Sequence, residues 1–164
     1  MTLTIYTIGH SNHTSEIFRT LLVDHGIQCL VDVRSQPYSR YNPQFNRDAL
    51  AKMLTDAHIR YVFLGDSLGG RPEQADLYDT GSERPNYERQ RQTSLYQQGL
   101  HQLIDISKQT ATAFMCSEGD PEMCHRTLLI TPSLLDLGID VQHILPDGVV
   151  VRAELPMQQL GFSF

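Results

Sequence analysis

The run Met115-Cys116-Ser117-Glu118-Gly119-Asp120-Pro121-Glu122-Met123-Cys124-His125-Arg126 gathers two thiols, an imidazole, a guanidinium and several carboxylates. A cysteine reacts as its thiolate, an imidazole moves protons near neutral pH, and a guanidinium offers a planar donor fork to carboxylate or phosphate. By its pattern, Cys116 leaves the end of a strand and Cys124 falls in the first turn of the following helix. There, unsatisfied N–H groups and the helix dipole favour a thiolate or a bound anion. Packing is the competing account, because free cysteine is among the most buried residue types. Charged and polar neighbours are poor packing material, so Cys116 and Cys124 are read as functional, while Cys29, inside an apolar strand, is read as core.

The other unusual polar residues also follow predicted strands. One group is Gly9-His10-Ser11-Asn12, a second is Asp32-Val33-Arg34-Ser35, and a third is Leu68-Gly69-Gly70-Arg71-Pro72. Asp32 and Arg34 stand two apart, hence on one face of a strand. They are either a structural ion pair or a pair in which Asp32 orients Arg34 or His10 while Arg34 holds an anionic group. Arg71 lies in a glycine-rich turn, where missing side chains let a ligand approach the backbone. Tyr38, Tyr41 and Phe45 line the pocket or tie a long loop to the core. His13, His25, His58, His101 and His143 are assigned to surface or packing.

Five segments rich in β-branched and aliphatic residues must carry these groups: Leu3 to Ile8, Gln28 to Val33, Tyr61 to Leu64, Thr112 to Cys116 and Val141 to Leu145. Between them, helical spacing marks Ser15 to His25, Asn46 to Ala57 and Tyr87 to Lys108. A further helix starts at Asp120-Pro121, with a kink or fresh start at Thr131-Pro132 and a stop at Gly138. Alternating strands and helices predict a single three-layer α/β domain over residues 1–164, a mostly parallel five-stranded sheet flanked by helices. In such sheets ligands bind beyond the strand carboxyl ends, where the four polar groups would meet. Two long connections, Arg34 to Phe45 and Gly65 to Pro85, are read as functional loops.

The chain has 164 residues, 40% of them hydrophobic and 20% charged, with a net charge of −6. That charge disfavours nucleic acid as a partner, since a phosphate-tracking surface is usually basic, and leaves a small anionic ligand in a local basic pocket. No apolar run is long enough to cross a bilayer and no signal segment opens the sequence, so a cytoplasmic protein without a membrane partner is expected. Three cysteines point to free thiols or metal ligands rather than a disulfide scaffold. The oligomeric state is not legible, although the apolar end Gly161-Phe162-Ser163-Phe164 could pack on its own domain or on a partner.

The runs Tyr6 to Asn12, Val31 to Ser35 with Pro37 and Ser39-Arg40, Leu68 to Arg71, and Cys116 to Arg126 together resemble the DUF488 family, in order, from about residue 5 to about residue 148. The matching positions are His10, Asp32, Arg34, Arg71, Cys116, Glu118, Pro121, Cys124, His125 and Arg126, and the Thr131-Pro132 step departs from the uninterrupted helix the family implies. The resemblance implies the fold and the pocket and supplies no reaction.

Three functions follow. The first is a cysteine-dependent enzyme, a transferase or hydrolase, acting on a small anionic or phosphorylated, nucleotide-like substrate. Cys116 or Cys124 attacks, His125 or His10 moves a proton with Glu118 alongside, and Arg34, Arg71 and Arg126 stabilise negative charge with Asp32 and Ser117 completing the substrate contacts. The phosphate loop of the cysteine phosphatases is disfavoured, since the Cys116-to-Arg126 spacing is too long for it and Cys124-to-Arg126 too short. The second is an iron or zinc site from Cys116, Cys124 and His125, a poorer fit because structural zinc uses tightly spaced cysteine pairs; no cofactor is required by the sequence. The third is a non-catalytic module binding a nucleotide or nucleic acid.

Overall fold

The computed structural model describes residues 2–154, so the apolar end at residues 161–164 lies outside the described residues. Strands form where the aliphatic and β-branched segments were read: β1 (Thr4–Gly9), β2 (Cys29–Asp32), β3 (Arg60–Phe63), β4 (Thr112–Cys116) and β5 (Asp140–Ile144). A sixth, β6 (Val150–Arg152), enlarges the expected five-stranded sheet. It pairs antiparallel with β5 through a turn at Asp147-Gly148, where Gly148 takes φ +87°. Asp-Gly is a strong hairpin signal, overlooked because the strand it makes is short and exposed. The sheet order is β3-β2-β4-β1-β5-β6, with all pairs except the last parallel.

Alternating side chains feed two cores. On one face, α1 (Ser15–Asp24) and α2 (Arg47–Asp56) pack Phe18, Leu22, Leu50 and Leu54 against Ile8, Leu30 and Met115. On the other lie α3 (Gly65–Leu68), α4 (Tyr87–Arg91), α5 (Ser94–Gln109) and α6 (Thr131–Asp136), with Leu68, Tyr96, Leu103 and Leu134 against Ile5, Val31 and Phe114. The result is the expected three-layer α/β arrangement. Neighbouring strands β1 and β4 send the chain to opposite faces, β1 into α1 and β4 toward α6, which is the divergence that creates a crevice at strand carboxyl ends. Among the described residues, no helix is long and apolar enough to cross a membrane.

Two helical expectations are corrected. The helix read over Tyr87 to Lys108 is two helices: α4 ends at Arg91, and Thr93 caps α5 by accepting from the Tyr96 N–H while its hydroxyl donates to the Gln90 carbonyl. The helix read after Pro121 is only a 3-10 turn, Pro121–Met123, with the Asp120 carboxylate accepting from the Glu122 N–H. Cys124 is then extended, at φ −133° and ψ 150°, so it is not in a first helical turn and no helix dipole supports it. Winding resumes as a π turn, Arg126–Ile130, and passes into α6. Pro132 explains that irregularity. Having no N–H, it leaves the Leu128 carbonyl without its helical donor; the Arg91 guanidinium donates to the carbonyls of Leu128 and Leu129 instead, and the Thr131 hydroxyl donates to that of Arg126.

Candidate functional site

A hollow of about 550 Å³ opens at the carboxyl ends of β2 and β4. Arg34, Ser35, Gln36 and Tyr38 enter it from the loop after β2, and Gly70 and Arg71 from the turn after α3. Cys116, Ser117 and Glu118 follow β4, and Cys124 and His125 return across the same space. The remaining wall is Glu83, Arg84, Pro85 and Tyr87 at the end of the second long loop.

Arg34 is held by local geometry. Two residues beyond Asp32, on the same side of the chain, its Nε and Nη2 donate to the two Asp32 carboxylate oxygens at 2.9 and 2.8 Å. Nη2 also donates to the Phe45 carbonyl at 2.8 Å. Tyr61 donates to the same carboxylate at 2.7 Å, and burial together with the negative charge of Asp32 drives the Tyr61 phenol well above its ordinary pKa. Nη1 of Arg34 is buried and has no partner, so the fork is fixed on one edge and leaves one donor unsatisfied on the other.

The sulfurs of Cys116 and Cys124 meet in direct contact, with Cα atoms 7.3 Å apart, wider than a relaxed disulfide spans, and Cys29 is free and buried. The sequence points to free thiols or metal ligands rather than a disulfide scaffold, and the structure brings two of the three sulfurs together. Separated by eight residues, the two close a local loop and staple no distant elements. Both line the hollow although each is little exposed, Cys116 by 1% and Cys124 by 5%.

His125 is oriented with equal care. Its Nε2 lies 2.9 Å from the Val33 carbonyl and its Nδ1 3.6 Å from Cys124 Sγ. A carbonyl only accepts, so Nε2 carries the hydrogen and Nδ1 turns its lone pair to the sulfur. Burial lowers the pKa of this imidazole, which keeps it an uncharged proton acceptor at neutral pH. Gly70 makes room for the ring: a Cβ at that position would stand 2.8 Å from His125 Cγ.

Other expected site residues do not reach the hollow. Arg126 is fully buried; Nη1 donates to the Thr7 hydroxyl, and Nη2 donates to the carbonyls of Glu118 and Gly119 at 3.0 and 2.9 Å. Burial lowers its pKa to about 10. It clamps the loop after β4 and does not line the hollow. His10 is buried too, stacked on Phe45 with centroids 4.6 Å apart, and its Nδ1 donates to the Ser11 carbonyl. Desolvation brings its pKa down to about 4. Backbone bonds from His10 to Cys116 and from Ser11 to Ser117 continue the β1–β4 pairing past the strands, sealing His10 beneath. Asp32 is buried and acts on the hollow only through Arg34.

Sequence reasoning missed Arg84 and Tyr87. The available signal was the Gly65-to-Pro85 connection, read as functional but credited only with Arg71. That loop is ordered by a Tyr78–Pro85 bridge, by Tyr78 donating to the Pro72 carbonyl, and by Gln90 donating to that of Gly69. The Arg84 guanidinium stands over the Tyr87 ring, 5.7 Å from its centroid. Among the described residues, no three His, Cys, Asp or Glu side chains form a set that could hold a metal ion.

A family model described as a domain of unknown function, DUF488, matches residues 13–131. The matched region contains Asp32, Arg34, Arg71 and the whole Cys116-to-Arg126 run; His10 precedes it. No curated protein and no solved structure gives a significant match.

Proposed function

The chain belongs to the DUF488 family, and from that premise and the geometry of the hollow we propose that it is a cysteine-dependent enzyme acting on a small anionic substrate. The observation that carries this reading is the approach of His125 Nδ1 to Cys124 Sγ, 3.6 Å, with the opposite ring nitrogen anchored on the Val33 carbonyl. A nucleophile beside a base that is itself oriented by a third group is the arrangement covalent catalysis requires.

In the reduced protein, Cys124 passes its proton to Nδ1 and the thiolate forms a bond to the electrophilic atom of the substrate. The leaving group departs with its bonding electrons and takes the proton back from His125. Arg34, through the unpartnered Nη1, and the exposed Arg71 and Arg84 supply positive charge around the anionic part. With Arg34 already paired to Asp32, Arg71 and Arg84 share the lining with Glu83 and Glu118, so an anion is held by the placement of the guanidinium donors rather than by net charge.

The test is alkylation of the reduced, folded protein with iodoacetamide at pH 7, with the modified peptide identified by mass spectrometry. Cys124 is expected to react first, and inorganic phosphate is expected to slow it in the wild type more than in Arg71→Ala. A folded protein in which no thiol reacts, or in which phosphate protects nothing, overturns the reading.

A further inference from the structure

We propose that the reaction is thiol–disulfide exchange, with Cys124 attacking a small disulfide that bears carboxylate or other anionic groups and Cys116 resolving the adduct. This deepens the proposed function and rests on Cys124 being its nucleophile. The added observation is the second sulfur. A phosphoryl or acyl group on Cys124 would leave to water or another acceptor and would give a neighbouring thiol nothing to do. A sulfur-linked adduct is different, because a thiol in contact with Cys124 displaces it directly, and Cys116 is the sulfur in contact with it.

The steps balance. The Cys124 thiolate attacks one sulfur of the substrate disulfide, forming a mixed disulfide and expelling the other half as a thiolate, which takes the proton held on His125. Cys116 then gives up its proton to solvent and attacks Cys124 Sγ, forming the internal disulfide and expelling the second half as a thiolate, which takes up a proton from solvent. Two electrons have passed from the protein's thiols to the substrate, and a dithiol reductant returns them by reversing the exchange at the internal disulfide.

Order of attack follows from position. Cys124 is the less buried residue of the two and the one beside His125 Nδ1, whereas Cys116, at the end of β4, is 1% exposed. The substrate class follows from the lining. A peroxide would also give an internal disulfide, but it is uncharged and small, and it would not need a hollow of about 550 Å³ edged by Arg34, Arg71 and Arg84. A disulfide with acidic arms uses both the volume and the charge.

Oxidised glutathione, an anionic disulfide, and cystamine, a cationic one, are the probes. Reduced wild type treated with oxidised glutathione is expected to finish as the internal disulfide with both halves released and no adduct retained. Cys116→Ser, and Cys116→Ala as a second variant should the first fold poorly, are expected to hold glutathione on Cys124. Oxidised glutathione should react at least tenfold faster than cystamine, and the preference should shrink in an Arg71→Ala/Arg84→Ala double variant. Folded Cys116 variants that collect no adduct on Cys124, or equal rates for the two probes, overturn the exchange. If Cys124 still alkylates with phosphate protection in that case, the broader proposal survives; if it does not alkylate, both fall.

Discussion

Two halves of the same strand-end region hold similar residue types and use them in opposite ways. On the β1 side, Arg126 and His10 are closed in: the Arg126 fork is occupied by the Thr7 hydroxyl and two backbone carbonyls, and His10 lies under the extended β1–β4 pairing. On the β2 side, Arg34 keeps Nη1 free and His125 turns Nδ1 to a sulfur in a hollow. Arg126 Nε, His10 Nε2 and Arg34 Nη1 are all buried without a partner, so what separates the two halves is which side chains border the hollow, and residue type is silent on that.

The largest expected effect belongs to the closed half and is driven by acid. His10 and His143 are both lowered from 6.5 to about 4 by desolvation. The unfolded chain therefore binds more protons than the folded one between those values, so stability is full above about pH 6.5 and declines as pH falls toward 4. Each group should contribute on the order of 3 kcal/mol across that window. Urea titrations at stepped pH check the slope, which should flatten in His10→Gln; a flat wild-type profile would mean the imidazoles are not sealed.

Next in size is Arg126→Ala, expected to lose about 3 kcal/mol, because the Glu118 and Gly119 carbonyls lose their donor inside the protein. Loss of under about 0.5 kcal/mol in urea unfolding, the range of an ordinary surface change, would place Arg126 with the available arginines instead. Gly70→Ala should then sharpen the contrast from the open side. Crowding the His125 ring should cost about 1 to 2 kcal/mol, the scale of overpacking, and should slow Cys124 alkylation out of proportion to that loss. Smallest in stability is Arg71→Ala, expected to stay within about 0.5 kcal/mol of wild type as an exposed change, while weakening phosphate protection of Cys124.

The layered fold was legible because each strand and crossover helix carries its own period: Cys29 to Asp32 reads as a buried strand, and Phe18, Leu21 and Leu22 as one helical face. The helix after β4 was not, because its form depends on Arg91, distant in the chain, supplying donors that Pro132 removes. The site was legible in part. Strand-end position singled out Arg34, Arg71, Cys116, Cys124 and His125, which line one hollow, since the topology brings those loops together. It overreached at Arg126 and His10, because backbone carbonyls that consume a guanidinium carry no mark in the sequence. Arg84 was missed for the converse reason: a long loop folds it back through the Tyr78–Pro85 bridge.

The most direct test is the pH dependence of Cys124 alkylation in the reduced protein, compared between wild type and His125→Gln. Wild type should react readily near neutrality, with Nδ1 of His125 taking the thiol proton, and the variant should react about tenfold more slowly at pH 7. Superimposable profiles would contradict the pairing of sulfur and imidazole on which the account stands.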